Sequence, residues 1–101
     1  MSNTIQHSVS AMRRAAEVLK CLGHPLRIEI VSLLGKGEMN VRDLGKRLDI
    51  QQSIVSQQLG ILKAKKIVLA RREKNSVYYS LADTTILGLL ECMSRCQKKY
   101  V

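Results

Sequence analysis

Apolar residues recur at steps of three and four along most of the chain, which is the spacing of one face of an α-helix. The first such run extends from Val9 to Leu22 and predicts a helix that ends at Gly23. A second helical run follows Pro25, a residue well suited to the first position of a helix. Residues 1–8 carry no such period, so we expect them to form a flexible N-terminal tail.

Two further helices are predicted in the middle of the chain. Asn40 is a favourable N-cap residue for the third helix, because its side-chain oxygen can accept a hydrogen bond from the first turn. The fourth helix is predicted over residues 51–65, with Val55, Leu59 and Leu62 forming a core-facing stripe. A short turn joins the two, which is the arrangement of a helix-turn-helix.

The period changes after the fourth helix. Residues 67–81 contain two β-prone runs joined by the polar link 73–75, which predicts a β-hairpin. Asp83 is expected to cap a final helix over residues 83–99. The predicted fold class is mainly α with a small β-hairpin, in the order four helices, hairpin, helix. Residues 9–101 are expected to form one domain.

Composition and charge point to the kind of partner. The 101 residues are 46% hydrophobic with no Trp or Phe, which favours packed helices over a large sheet. The formal net charge is +9, which favours a nucleic acid or an anionic membrane as partner, although a solvated basic surface gives the same composition. Residues 41–79 contain nine basic and three acidic side chains, so two-thirds of the net charge lies on the helix-turn-helix and hairpin.

The first half of the fourth helix carries the candidate chemistry. Its polar side chains point away from the apolar stripe and suit hydrogen bonding to base edges of double-stranded DNA, since Gln can pair with adenine and Ser with several bases. We expect base contacts from Gln51, Gln52, Ser53, Ser56 and Gln57. An ordinary solvated helix face is the alternative interpretation.

Basic side chains follow this segment. The hairpin tip is short, polar and basic, as a wing lying along a DNA backbone or minor groove requires. We expect phosphate contacts from Lys63, Arg71, Arg72 and Lys74. A hairpin that only adds solubility is the alternative.

Three spaced segments resemble the ArsR/SmtB family of winged helix-turn-helix repressors. Residues 22–28 (LGHPLRI) are similar to the family's L-A-x-P-x-R-L at the second helix. Residues 52–59 (QSIVSQQL) are similar to its Q-S-x-V-S-x-H-L recognition helix, and residues 66–81 to its G-L-V-x-x-R-R-E-G and V-Y-Y-x-L wing. The resemblance runs from about residue 12 to residue 96, which is nearly the whole chain.

This resemblance implies a winged helix-turn-helix fold and a homodimer held by the first and last helices. It also implies a repressor that binds operator DNA and is released by a small inducer. Three positions depart from the family pattern: Gln51 replaces the usual Ser, Gln58 the common His and Lys66 the frequent Gly. These departures concern the base contacts rather than the fold.

The sequence does not identify the inducer. The Cys-x-Cys spacing near the third helix and the Asp and His pattern on the last helix, which bind metals in many relatives, are both absent from the sequence. Neither of these metal sites is therefore expected, and no cofactor is expected. Cys21, Cys92 and Cys96 are candidate sensor thiols for reactive sulfur or an oxidant, or for a trivalent arsenical or another soft metal. Simple packing is the alternative for these cysteines, and relatives with paired sensor thiols usually place the first one where this chain has Ser32.

The sequence disfavours other classes of protein. No apolar run is long enough to span a membrane and no apolar signal segment precedes the first helix, so we expect a cytoplasmic protein. No Ser/His/Asp set, phosphate-binding loop or metal-ligand cluster suggests an enzyme. A winged-helix module that binds protein rather than DNA, without a sensor site, remains as an alternative.

Overall fold

The computed structural model describes the backbone of residues 2–100 and the side chains of residues 9–95. Within these residues the elements are α1 (Ser2–Cys21), α2 (Pro25–Leu34), β1 (Met39–Asn40), α3 (Val41–Leu48), α4 (Gln52–Ala64), β2 (Val68–Glu73), β3 (Ser76–Leu81) and α5 (Thr85–Tyr100). The predicted order of four helices, hairpin and final helix is confirmed. None of the described helices combines the length and apolarity that crossing a membrane would require.

A third strand extends the predicted hairpin into a small sheet. β3 lies between β1 and β2 and pairs antiparallel with both, with Met39 opposite Tyr79 and Val68 opposite Leu81. The two-stranded prediction was therefore incomplete. β1 has only two residues, too few to show an alternating pattern, and Asn40 also acts as the predicted N-cap of α3, its Oδ1 accepting from the Asp43 backbone N–H at 2.8 Å.

α1 is longer than the sequence pattern predicts. Its backbone is helical from Ser2, whereas the apolar period begins at Val9. A helix nucleated in the apolar segment extends readily through polar residues, because each added residue costs much less than the first turn. The expected flexibility of residues 1–8 stays a prediction, since their side chains lie outside the described residues.

The core joins α2, α3, α4 and the sheet. Its completely buried members are Ile30, Val31, Leu44, Val55, Leu59 and Leu62. The predicted stripe of α4 is thus confirmed. Cys21 and Leu22 close the core at the end of α1, and Val68 closes it at the start of β2. α4 is held against this core by its stripe of Val55, Leu59 and Leu62.

The ends of α2 set the positions of its neighbours. Pro25 occupies the first turn as predicted, and the His24 side chain caps the helix, its Nδ1 accepting from the Leu26 N–H at 3.2 Å. At the other end α5 approaches closely: a Cβ on Gly35 would lie 2.6 Å from Cδ2 of Leu87. A glycine at this position therefore allows α5 to pack against the end of α2.

Candidate nucleic-acid interface

The N-terminal half of α4 separates apolar from polar side chains. Its buried stripe faces the core, and the side away from the stripe is exposed to solvent. That exposed side carries four of the five residues predicted to contact bases, which we call the reading face: Gln52, Ser53, Ser56 and Gln57. Because the opposite side of the helix is packed into the core, the reading face is directed toward solvent.

Gln51, the fifth predicted residue, precedes the helix. It occupies the N-cap position with an extended backbone, and its side chain makes no capping hydrogen bond. The helix therefore runs from Gln52 to Ala64, within one residue of the predicted bounds. A glutamine is a weak N-cap residue, and the Gln51 side chain is exposed beside the reading face.

The turn before α4 fixes the angle between α3 and α4. Asp49 adopts a left-handed backbone conformation with φ of 56°. Gly45 is buried next to this turn, where a Cβ would lie 2.9 Å from the backbone oxygen of Ile50. A larger residue at position 45 would push the turn away from α3, so glycine is required for this close approach.

Basic side chains of α3 stand beside the reading face. Arg42 and Lys46 are exposed and line a cleft of about 420 Å³ together with Gln51 and Gln52. Neither residue was among the predicted DNA contacts, although both belong to the charged segment noted in the sequence. Only the folded arrangement shows that these cations border the start of α4.

The hairpin lies on another side of α4. A second cleft, also about 420 Å³, is lined by Arg42 and Ser56 on one side and Ser76 and Val77 of β3 on the other. At the tip of the hairpin, Lys74 is exposed and has a left-handed backbone conformation, with φ of 55°. Arg72 is exposed on β2, so the structure brings the predicted wing cations Arg72 and Lys74 onto one hairpin.

Arg71 occupies a different environment from its neighbour Arg72. Its guanidinium pairs with Glu38 at 2.7 Å and Glu73 at 3.1 Å, and its Cζ lies 5.1 Å from the ring centroid of Tyr78. The hydrogen bond from Arg71 lowers the pKa of the Glu38 carboxyl, and both carboxylates raise the pKa of Arg71. Because successive strand residues face opposite sides, the two arginines point away from each other.

Lys63 is exposed near the far end of α4. It lies seven residues after Ser56, roughly 10 Å farther along the helix axis and on nearly the same side of α4, at 1.5 Å and 100° per residue. The structure therefore places Lys63 two turns beyond the reading face. It belongs to a basic segment at the end of α4 that includes Lys65 and Lys66.

The three cysteines lie in different environments. Cys21 is buried in the core, Cys92 is exposed on α5, and the side chain of Cys96 lies outside the described residues. Both described cysteines are free thiols. Among the described residues, no group of three or more His, Cys, Asp or Glu side chains is placed to hold a metal ion.

A second surface consists of apolar side chains that the described residues leave uncovered. Its exposed members, which we call the open apolar surface, are Val9, Met12 and Leu19 of α1 and Leu89 and Met93 of α5. Leu19 and Leu89 also line one groove of about 410 Å³ between the two helices. The apolar period of α1 thus faces outward along much of its length.

Comparison with known proteins identifies the family. Residues 24–68 match the family described as bacterial regulatory protein, arsR family. A biofilm growth-associated repressor of Agrobacterium fabrum is 42% identical over 84 residues, which cover 80% of this chain and 72% of that repressor. The chain belongs to the ArsR family.

Solved structures of ArsR-family and related regulators share the fold. Reduced HlyU from Vibrio cholerae matches with a TM-score of 0.78 and 30% identity, covering 90% of this chain and 96% of the other. A homodimeric winged helix-turn-helix DNA-binding domain from Mycobacterium bovis matches with a TM-score of 0.77 and 26% identity, covering 92% and 86%. This ArsR-family chain is therefore a DNA-binding transcription regulator with a winged helix-turn-helix fold, and not an enzyme.

Proposed function

We propose that this ArsR-family chain represses transcription by binding operator DNA as a homodimer, with α4 in the major groove. The observation that carries the proposal is the reading face, a set of amide and hydroxyl side chains exposed on a helix whose other side is buried. Gln52 and Gln57 have the donor and acceptor pair that matches adenine, and Ser53 and Ser56 can donate or accept. A helix fixed in this way presents those groups at defined positions, as base recognition requires.

Phosphate contacts are assigned to the exposed cations around the reading face. Arg42 and Lys46 flank the start of α4, while Arg72 and Lys74 extend from the hairpin. Lys63 would contact the backbone farther along the helix. We assign Arg71 to the sheet instead, because two carboxylates already neutralise its charge.

Selection from a library of random duplexes tests the proposal. We expect an enriched site with two half-sites about 34 Å apart, or a multiple of that distance, because a dimer presents its two recognition helices one DNA turn apart. Binding should weaken steeply with salt, each phosphate contact adding about −0.9 to the slope of log K against log salt concentration. Failure to enrich any sequence, with no salt-dependent duplex binding, would favour a winged-helix module that binds protein.

Homodimerisation through α1 and α5 is supported by the open apolar surface. Met12 is 70% exposed and Met93 is 55% exposed, values unusual for side chains on the apolar period of a helix. The Mycobacterium bovis relative is described as homodimeric. A second copy of the chain would cover the exposed side chains of both helices at once, and light scattering of the purified protein measures this directly.

Release by an inducer is proposed to use cysteine chemistry. Cys92 is exposed and accessible to reactive sulfur or an oxidant, whereas Cys21 is packed in the core and reacts only if the end of α1 opens. One matched structure is described as reduced HlyU, so a reduced form is distinguished for that relative. A trivalent arsenical or another soft metal bound by the same sulfurs, including Cys96, is the second candidate.

Thiol titration and intact-mass analysis separate these candidates. The wild type would be treated in parallel with polysulfide, peroxide and arsenite, and operator affinity would be measured after each. We expect a mass change and weaker DNA binding with one reagent, and neither effect in a Cys92→Ser variant. Unchanged masses and unchanged affinity with all three reagents would leave the cysteines as packing residues.

A further inference from the structure

Arg27 connects three helices through one side chain. It lies on α2 and is half-buried. Its Nε donates to Oε1 of Gln58 on α4 at 2.8 Å, and its Nη1 donates to the backbone oxygen of Cys21 at 3.0 Å. A single planar guanidinium therefore links the last residue of α1 to the middle of α4.

The bond to Cys21 completes the end of α1. Cys21 is the final residue of that helix, and the last carbonyls of a helix have no partner within it. An arginine near a helix C-terminus can supply the missing donor. Arg27 thus holds the end of the helix that carries Met12 and Leu19 of the open apolar surface.

The bond to Gln58 constrains α4 in a way that its apolar stripe cannot. Packing of Val55, Leu59 and Leu62 is non-directional and tolerates small rotations. A hydrogen bond weakens steeply with changes in angle and distance, so it fixes both the rotation of α4 and its position along the axis. At 100° per residue, Gln58 lies on the flank of α4 about 200° from Ser56, so Arg27 approaches the helix from the side away from the reading face.

We propose that Arg27 is a positioning residue for DNA recognition, which aligns the reading face by holding Gln58 and ties that alignment to the end of α1. This inference rests on the proposed role of α4 as the helix that reads bases. Arg27 acts through Gln58 and not through DNA. Its loss should therefore reduce discrimination between DNA sequences while leaving general affinity for duplexes unchanged apart from the lost charge.

The test compares Arg27→Met, which keeps the aliphatic stem, with Lys36→Met, which removes one exposed charge from the loop after α2. For each variant, dissociation constants would be measured for a selected site and for an unrelated duplex of equal length. Melting curves would establish that each variant is folded at the assay temperature. We expect the ratio of the two constants to fall about tenfold for Arg27→Met, a loss typical of one charged hydrogen bond, and to stay at the wild-type value for Lys36→Met.

Two variants of Gln58 separate alignment from stability. Gln58→Met should lower the same ratio, and adding Arg27→Met to it should cause little further loss, because both remove one interaction. Gln58→Glu keeps the acceptor, so its ratio should stay near wild type although the added negative charge weakens binding to both duplexes. A purely structural role would lower the melting temperature of Arg27→Met, of Gln58→Met and of the double variant without changing the ratio.

The outcomes distinguish this inference from the proposed function. A wild type that selects no sequence would contradict the proposed function and this inference with it. A wild type that selects a site, together with an unchanged ratio in Arg27→Met, would overturn only the role of Arg27. Strictly additive losses in the double variant would also overturn it, since they would show that Arg27 and Gln58 act separately.

Discussion

The α4 helix and the pair α1 and α5 use amphipathic helices in opposite ways. In α4 the apolar stripe is buried inside the chain and the polar side chains face outward. In α1 and α5 many apolar side chains face outward instead, from Val9 to Leu19 and from Leu89 to Met93. The first region is complete within one chain, whereas an exposed apolar surface of this kind indicates a surface that another molecule covers.

The largest expected effect is on association. Met12→Lys places a charge in the open apolar surface, and in a symmetric dimer the substitution occurs twice. Losing the burial of one Met side chain costs about 1.5–3 kcal/mol, so dimerisation should weaken by about 3–6 kcal/mol. Leu69→Lys is the matched control, because Leu69 is similarly exposed but lies on β2. Light scattering against concentration would show a monomer for Met12→Lys only; equal behaviour of the two variants would place the interface elsewhere.

Substitutions of two leucines test the same comparison between α4 and the open apolar surface by measuring the free energy of unfolding. Leu59 is completely buried in α4, so Leu59→Ala should lower the free energy of unfolding by about 2–5 kcal/mol at any protein concentration. Leu89 is 37% exposed on α5, and Leu89→Ala should act mainly through the dimer. Urea denaturation at several protein concentrations measures both. A loss in Leu89→Ala that is as large as in Leu59→Ala and independent of concentration would mean that α5 belongs to the core of one chain.

Neighbouring arginines of β2 sharpen the description of the DNA-binding region. Arg72→Ala should weaken binding to all duplexes and reduce the salt slope by about 0.9, because it removes one phosphate contact. Arg71→Ala removes the same formal charge, but that charge is balanced by Glu38 and Glu73, so the slope should change little. An equal reduction of the slope in both variants would mean that Arg71 leaves its carboxylates and contacts DNA, and two unchanged slopes would mean that neither arginine contacts a phosphate.

The sequence predicted those structural features that depend on residues close together in the chain. Helical periods located the stripe of α4, and single residues such as Asn40 and Pro25 marked helix ends because caps depend on one or two neighbours. The positions of Arg27 and Arg71 could not be predicted in this way. Their partners Gln58 and Glu38 lie 31 and 33 residues away in the chain, and no spacing rule connects residues that only tertiary packing brings together.

Prediction of the DNA-contacting residues was limited in the same way to features that depend on nearby residues in the chain. The reading face followed from the helical period, since residues on one side of a helix are determined by their spacing. Arg42 and Lys46 were missed because their relation to α4 depends on the turn at Asp49. Arg71 and Arg72 looked equivalent in sequence, and only the pairing of β2 with its neighbours separates their roles.

A smaller effect on stability is expected at Lys66, the second residue after α4. Lys66 follows α4 and has a left-handed backbone with φ of 61°, which explains why the family often has Gly there. A side chain in this conformation costs roughly 1–2 kcal/mol, partly offset by the entropy of glycine, so Lys66→Gly should raise stability by about 0.5–1 kcal/mol. Lys65→Gly is the control, because Lys65 has a negative φ of −88° and should lose stability. Thermal unfolding measures both variants. Destabilisation by Lys66→Gly would contradict the claim that the backbone at Lys66 is strained.

The smallest effect concerns pH and the ion pair between Glu38 and Arg71. The pKa of Glu38 is lowered from its ordinary value of 4.5 in the folded chain, so the pair contributes stability above about pH 4.5 and loses it as the pH falls through the folded value. Both side chains are partly exposed, so the contribution is small and screened by salt. Glu38→Gln should remove this part of the pH dependence, measured as the difference in melting temperature from wild type between pH 6 and pH 3. A constant difference across that range would show that the pair adds nothing to the stability of the hairpin, and Arg71 would then be free to act like Arg72.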